Sequence, residues 1–284
     1  FGTVRNETVS AMGNYNDEKD EMINYSSNFN YENWISNNLK IFNTAYLRQT
    51  KAEYDDSSAE QHGYEGTNNM GSYQIGMENS NQNQKNSLVY YYNVYDRKYD
   101  ERGVIDKYKS NTTGIKYNLS KLINNNVSYG LGLEYKYDWG YFDNNGSYKA
   151  STKGNSDNFA LYGNLGWNLL NNSNISLFYR NDNHKQTDNN NTYKLNFDQK
   201  FNNFNIGLAH MNSLRNPTLY EFFGTDSNGY SGNRSLNPEK SNTNEIYSNL
   251  KIRDNIQISL RAFKSNIKNN IEYVNNKYVN DSDN

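Results

Sequence analysis

His62, His184 and His210 are the only imidazoles in a chain of 284 residues, and there is no cysteine. Disulfide frameworks, thiolate zinc sites and cysteine nucleophiles are therefore excluded. The histidines are scattered over segments far apart in the chain, so the plain reading is surface or rim histidines rather than a metal-bound trio. No GxxxxGK[ST] phosphate cradle occurs and no nucleophile–base pattern emerges, so no enzyme activity is expected. Acidic oxygens gather at Asp17-Glu18-Lys19-Asp20-Glu21 and around Asp55-Asp56. Calcium takes such oxygens, which makes Asp17, Asp20, Asp55 and Asp56 its candidate ligands. Neither run has EF-hand spacing, and solvated loop charge is the simpler reading. No resident cofactor is expected. Tyr64, Tyr141, Tyr148, Tyr220 and Tyr230 lie in stretches that read as loops. Such rings stack on a bulky ligand while their hydroxyls hydrogen-bond to it, or else they pack loop against loop.

What positions these residues is a strong period of two. Val127, Tyr129, Leu131, Leu133, Tyr135 and Tyr137 alternate with Ser128, Gly130, Gly132, Glu134 and Lys136. A strand sends the two sets to opposite faces. The same alternation recurs at Leu88–Val94, Phe159–Trp167, Ile175–Tyr179 and Ile256–Ala262, and roughly thirteen strands are predicted. Short Asn-rich turns are expected near 36–38, 81–85, 124–126, 170–173, 202–203 and 253–255. Long polar loops are expected at 14–21, 55–66, 96–106, 138–157, 181–191 and 214–240. Short turns thus fall at one end of the strands and long loops at the other.

Composition agrees with a sheet wetted by two solvents. The chain has 29 Lys+Arg against 31 Asp+Glu, 34% hydrophobic residues and 27 tyrosines, and its mean hydropathy is −1.09. Near-neutral charge argues against a nucleic-acid-binding arm. Abundant aromatics with little net charge are the reverse of disorder. No apolar run approaches the ~20 residues of a membrane helix, and the first residues lack the pattern of a signal peptide. An antiparallel transmembrane β-barrel with short periplasmic turns and long outer loops accounts for all of this. Only half its strand positions face lipid, and Tyr135, Tyr137, Trp139, Tyr141 and Phe142 read as an interfacial aromatic girdle. Glu134 and Arg261 fall on the inward rows. The competing all-β reading is a soluble sandwich or solenoid with tyrosine ladders.

Two segments add a family likeness. The first runs Asn212-Ser213-Leu214-Arg215-Asn216-Pro217-Thr218-Leu219-Tyr220-Glu221-Phe222-Phe223-Gly224. The second runs Gly232-Asn233-Arg234-Ser235-Leu236-Asn237-Pro238-Glu239-Lys240-Ser241 and is followed by Glu245. Their order and spacing resemble the TonB-dependent outer-membrane receptors, in the region where an aromatic strand, a variable loop and an Asn-Pro-Glu-like strand start succeed one another. Arg180 and Asp182 resemble a further Arg-x-Asp signature of that family. The spacing looks most like the cobalamin receptors, and siderophore receptors share the motifs. The resemblance implies a partial barrel domain over 1–284, about thirteen strands of a 22-stranded barrel. The plug domain, the TonB-contacting peptide and the closing C-terminal strands would lie outside this chain. It implies TonB-energised uptake of cobalamin or a ferric siderophore across a bacterial outer membrane, with outer-membrane lipid and a TonB-type protein as partners. It also implies that Arg180, Asp182, Arg215, Pro217, Thr218, Tyr220, Gly224, Asn233, Leu236, Pro238, Glu239, Ser241 and Glu245 contact ligand or plug, or anchor the long loop at the rim. The anchoring role is the expected one. A passive porin or autotransporter barrel, or a soluble surface adhesin, is the alternative.

Overall fold

A computed structural model describes residues 2–9, 19–54, 64–145, 149–170, 172–253 and 255–281. Thirteen antiparallel strands follow one another in a single meander, each paired with its neighbours in the sequence. They are β1 (Gly2–Val9), β2 (Lys19–Trp34), β3 (Leu39–Glu53), β4 (Tyr64–Ser80), β5 (Gln84–Glu101), β6 (Val104–Asn124), β7 (Val127–Asp143), β8 (Ser151–Leu170), β9 (Ser173–His184), β10 (Asp188–Lys200), β11 (Phe204–Arg215), β12 (Glu239–Arg253) and β13 (Ile256–Lys268). A short helix, α1 (Leu219–Phe223), interrupts the β11–β12 connection. A separate hairpin, β14 (Ile271–Val274) and β15 (Lys277–Asn280), follows β13. Among the described residues β1 and β13 are the two open edges of the sheet.

Register fixes the faces. Tyr135 of β7 lies opposite Ile115 of β6 and Phe159 of β8, and Leu133 opposite Tyr117 and Leu161. This face carries the apolar set, and its side chains are exposed: Leu131 is 55% accessible and Leu208 50%. Among the described residues the buried hydrophobic ones are few, namely Ala150, Ala160, Ala209, Phe222, Tyr230 and Leu236. A water-soluble sandwich would bury its apolar rows against each other. Here they are left outward, as on a wall wetted by lipid.

The opposite face is polar and closely fitted. Gly76 faces Phe42, Gly114 faces Tyr91, Gly132 faces Tyr162 and Gly207 faces Tyr247 in directly paired positions. A Cβ at any of these glycines would come within 2.1–2.5 Å of the neighbouring ring. Three tyrosines and Phe42 thus cover glycines on the inner wall, a common way of rescuing a glycine in a sheet.

The short turns fall where the sequence places them. The opposite end departs from expectation. Segments 96–106 and 181–191 are not long loops: β5 and β6 continue to a two-residue turn at Arg102 and Gly103, and β9 and β10 to a turn at 185–187. Both Arg102 (φ 54°) and Gly103 (φ 91°) have positive φ, the geometry of a tight hairpin. Much of 138–157 is likewise strand, with β7 running to Asp143 and β8 starting at Ser151. Alternation disappears in these extensions because both faces are wet. The outward row of β5 turns from Leu88, Tyr90, Tyr92 and Val94 to Asp96, Lys98 and Asp100, while β9 passes from Tyr179 to Asn181 and Asn183. Phe142 also departs from the girdle expected of it. It is out of parity with Tyr135–Tyr141, points inward and stacks on Tyr108 with ring centres 4.2 Å apart. No helix among the described residues is long and apolar enough to cross a membrane.

Candidate functional site

β11 ends at Arg215, and the chain turns inward through Asn216 and the buried Pro217. Thr218 caps α1. Its Oγ1 accepts from the Glu221 amide (3.2 Å), and Glu221 Oε2 accepts from the Thr218 amide (2.6 Å). This reciprocal pairing is a capping box. The helix stops at Gly224, whose amide donates to the Tyr220 carbonyl at 2.8 Å. Gly232 then crosses so closely that a Cβ would stand 2.5 Å from the Phe222 backbone. The Gly232 amide donates to the Gly224 carbonyl, and the Asn233 amide to that of Glu221.

Arg215 joins the pieces. Its Nε donates to Glu239 Oε2 at 2.5 Å and its Nη1 to Glu221 Oε2 at 3.2 Å, so β11, β12 and α1 meet at one guanidinium. Glu239 also accepts from the Ile271 amide at 2.8 Å, which brings in the β14–β15 hairpin. The Arg215 hydrogen bond holds the Glu239 carboxyl below its ordinary range, and Glu239 in turn raises the guanidinium. Leu236 and Pro238 are buried beside this junction. Asn233 Nδ2 donates to the Tyr278 carbonyl, and Ser241 meets Ser213 hydroxyl to hydroxyl at 2.7 Å.

Tyr230 is the centre of the loop, at 2% exposure. It stacks on Tyr220 (4.9 Å), meets Tyr278 edge-on (5.6 Å) and packs on Tyr273 (5.9 Å), while its hydroxyl donates to the Tyr220 carbonyl at 2.7 Å. Burial is the main cause that raises the phenols of Tyr220 and Tyr230 above their ordinary value.

From Tyr220 the aromatic contacts continue along the inner wall. Tyr220 meets Phe142 at 6.2 Å, Phe142 stacks on Tyr108, Tyr108 meets Tyr99 at 5.9 Å, Tyr99 meets Tyr54 at 5.7 Å, and Tyr54 meets Tyr64 at 5.7 Å. The resulting arc spans the loop end from the β11–β12 loop back to β4. α1 docks on the same wall through two glycines. Leu219 lies over Gly140 and Phe223 over Gly154, where a Cβ would come within 2.7 and 2.4 Å. Between the helix and the wall runs a groove of about 570 Å³ lined by Tyr95, Tyr108, Phe142, Thr152, Leu219 and Tyr220.

A second cluster lies on the wall to one side. Arg180 donates to Glu134 at 3.1 Å and to Asp182 at 2.8 Å; Tyr91 donates to Glu134 and Asn158 to Asp182. A cavity of about 490 Å³ opens beside it. Glu245 pairs with Arg261 at 3.5 Å, also on the inner face. Arg180 already has two carboxylates, so its geometry is that of a cross-strand brace.

Of the candidate ligand-contacting tyrosines, Tyr64 closes the far end of the arc with Arg102 5.4 Å over its ring. Tyr230 packs the loop internally. Tyr141 lies in the outward row of β7 with its hydroxyl donating to Asp143 at 3.0 Å, and it also borders the groove beneath α1. Tyr148, Asp17, Asp55, Asp56 and His62 lie outside the described residues, and for Asp20 only its strand position in β2 is described. Among the described residues no group of three or more His, Cys, Asp or Glu is placed to hold a metal ion. His184 bonds Ser156 (2.8 Å), and His210 sits outward between Tyr193 and Asn244, so these two are not brought together. Glu221, central to the junction, carried no expectation of its own. The Thr218-x-x-Glu221 spacing after a proline was the signal for it.

Residues 2–284 match the family described as TonB dependent receptor-like, beta-barrel. No match was found among curated protein sequences. Solved structures of similar fold include the siderophore receptor PirA from Acinetobacter baumannii, with 15% identity, a TM-score of 0.74, and coverage of 89% of this chain and 44% of that one. The copper transporter OprC is 13% identical with a TM-score of 0.74, covering 92% and 48%. A mutant of the ferric enterobactin receptor PfeA from Pseudomonas aeruginosa is 13% identical with a TM-score of 0.70, covering 89% and 44%. The chain thus spans less than half the length of these structures.

Proposed function

The chain belongs to the TonB-dependent receptor β-barrel family, and we propose that it is the section of an outer-membrane receptor whose inner wall and loops receive a metal-bearing ligand for TonB-energised import. The carrying observation is the pairing of an outward apolar row with an inward aromatic arc at the loop end. The outer row suits lipid. The arc offers ring faces to a bulky ligand at the mouth, where an incoming molecule arrives first. The side chains described bind and brace. In this reading the energy is supplied through parts of the receptor beyond this chain.

For the ligand we favour the ferric-siderophore class. The structural neighbours named above include siderophore receptors and a copper transporter. The strand and loop motifs, whose spacing resembles the cobalamin receptors, keep cobalamin as the second reading. The test is uptake by a receptor-deficient outer-membrane host that expresses the full-length protein, with and without its TonB. TonB-dependent accumulation of labelled ferric siderophore supports the proposal. Accumulation that persists without TonB refutes it and points to a passive porin.

A further inference from the structure

We propose that His184 is a pH-operated latch between the β9–β10 turn and the entry to the β11–β12 loop, closed while its imidazole is neutral and released when the ring takes a second proton. The latch goes beyond the uptake reading and does not depend on the cargo. His184 ends β9, beyond the lipid-facing rows, and is only 8% exposed. Its Nε2 lies 2.8 Å from Ser156 Oγ, and its Nδ1 lies 3.3 Å from the Gln186 amide and 3.1 Å from Thr187 Oγ1. These neighbours fix the tautomer. Ser156 gives its one proton to Gln186 Oε1 (2.8 Å), so the ring donates at Nε2. The Gln186 amide can only donate, so Nδ1 accepts. Thr187 directs its proton to Asn216 Oδ1 at 3.2 Å, which ties the turn to the residue that follows β11.

A proton at Nδ1 sets donor against donor at the Gln186 amide, inside the turn formed by residues 185–187. The carboxylates around the ring have partners of their own. On β7, Asp138 is held by Lys136 (2.8 Å) and Thr112 (2.6 Å). On β9, Asp182 is held by Arg180 (2.8 Å) and Asn158 (2.6 Å). On β8, Asp157 faces Lys185 of the turn at 3.8 Å, and on β10 Asp188 stands opposite His184 in the ladder. Burial, and after it the Lys136 ammonium, hold the imidazole below its ordinary value of 6.5. The open form therefore binds a proton more readily than the closed one, which makes closure depend on pH. The latch's stability is fully present above pH 6.5 and is lost as pH falls through the lower value of the closed form. Opening the turn withdraws Thr187 from Asn216 and frees the start of the long loop.

The test is hydrogen exchange of the detergent-solubilised full-length receptor between about pH 7.5 and about pH 5, corrected for the intrinsic pH dependence of amide exchange. With an ordinary histidine in the open form and no proton taken by the closed one, opening rises by at most about 30-fold over that range. The expected result is a rise of at least about fivefold at the amides of Lys185, Gln186 and Thr187 and at those of Asn216 and Thr218. Amides in the middle of β6–β8 should not respond. His184→Gln, which cannot take the proton, should flatten the profile at both places. Thr187→Val should keep the response of the turn and abolish that of Asn216 and Thr218. A flat profile in the parent overturns the proposal, as does an equal rise in His184→Gln. An undiminished response of Asn216 and Thr218 in Thr187→Val overturns it as well, because the turn and the loop entry are then not linked. If His184→Gln fails to fold, the parent profile and Thr187→Val decide between these outcomes.

Discussion

Replacing Tyr230 with alanine removes the ring around which the β11–β12 loop is assembled. Tyr230 is buried, touches Tyr220, Tyr273 and Tyr278, and donates to the Tyr220 carbonyl. Truncating a buried aromatic of this size costs roughly 3–5 kcal/mol. The sheet itself does not rest on Tyr230, so the loss is confined to the opening of α1 and the β14–β15 hairpin. A lowering of the opening free energy by about 3 kcal/mol speeds exchange by roughly 150-fold. Hydrogen exchange in detergent should therefore accelerate at the amides of Phe222, Gly224, Gly232 and Ile271, which are held by the carbonyls of Thr218, Tyr220 and Gly224 and by the Glu239 carboxylate. Amides in the middle of β6–β9 should stay as they are. Tyr230→Phe keeps the ring and loses only the hydroxyl. The Tyr220 carbonyl still accepts from Gly224, so about 1 kcal/mol, or roughly fivefold, is expected. The reasoning fails if both variants exchange alike, or if Tyr230→Ala loosens β6–β9 as much as the loop.

Other perturbations separate the remaining elements. Arg215→Ala strands the buried Glu221 and frees Glu239 from its partner, so loop protection should fall while Arg215→Lys restores only part of it; proteolytic nicking between 216 and 238 reports both. Leu133→Arg turns a charge to lipid at a cost of ~2–4 kcal/mol near mid-membrane, whereas a new Arg at Gly132, on the inner row, meets the Tyr162 ring. Heat-modifiability on gels should show Leu133→Arg failing to insert and a Leu133→Ile control inserting normally. Gly154→Val drives a side chain into Phe223 and should displace α1 without loss of the strands, read as increased exchange at Phe222 with β7 and β9 unchanged. Raising pH provides a further check. The folded phenols of Tyr220 and Tyr230 titrate above their ordinary value of 10.0, so the loop's stability is fully present below pH 10 and is lost as pH rises beyond it. Tyrosinate absorbance should therefore appear in two steps, the later one coinciding with increased exchange at α1.

How much of this was legible in the residues depends on which solvents each segment meets. Where one face meets lipid and the other the polar interior, as at Tyr129–Tyr137, hydropathy alternates and the strand announces itself. Beyond the lipid both faces are wet, the alternation fades, and the ends of β5, β6, β9 and β10 read as loops although their ladders continue. Parity within a strand was also readable: Phe142 has even number where Tyr135, Tyr137, Trp139 and Tyr141 are odd, which sends it inward. A helix of five residues is too short for a periodicity, and α1 is visible only through its capping box. The junction at Arg215 could be suspected from motif order, but its second carboxylate, Glu221, is brought to it by that helix. The aromatic arc has no trace in local sequence. Its members come from β4, β5, β6, β7, α1 and Tyr54 just beyond β3, and only the register of the sheet sets them side by side.

This chain has no cysteine, so a thiol introduced in β7 has no competitor within it, and any cysteine elsewhere in the receptor is replaced by serine beforehand. Single cysteines placed in turn at positions 129 to 137 of β7, in full-length receptor within outer membranes, can be probed with a water-soluble maleimide and with a lipid-soluble quencher of an attached label. Odd positions should be quenched from the lipid, and positions 134 and 136 should react from the aqueous interior, while positions 130 and 132, covered by Asn164 and Tyr162, should be neither quenched from the lipid nor fast to react. Reaction of every position with the aqueous reagent, or quenching at the even positions instead, would contradict this pattern.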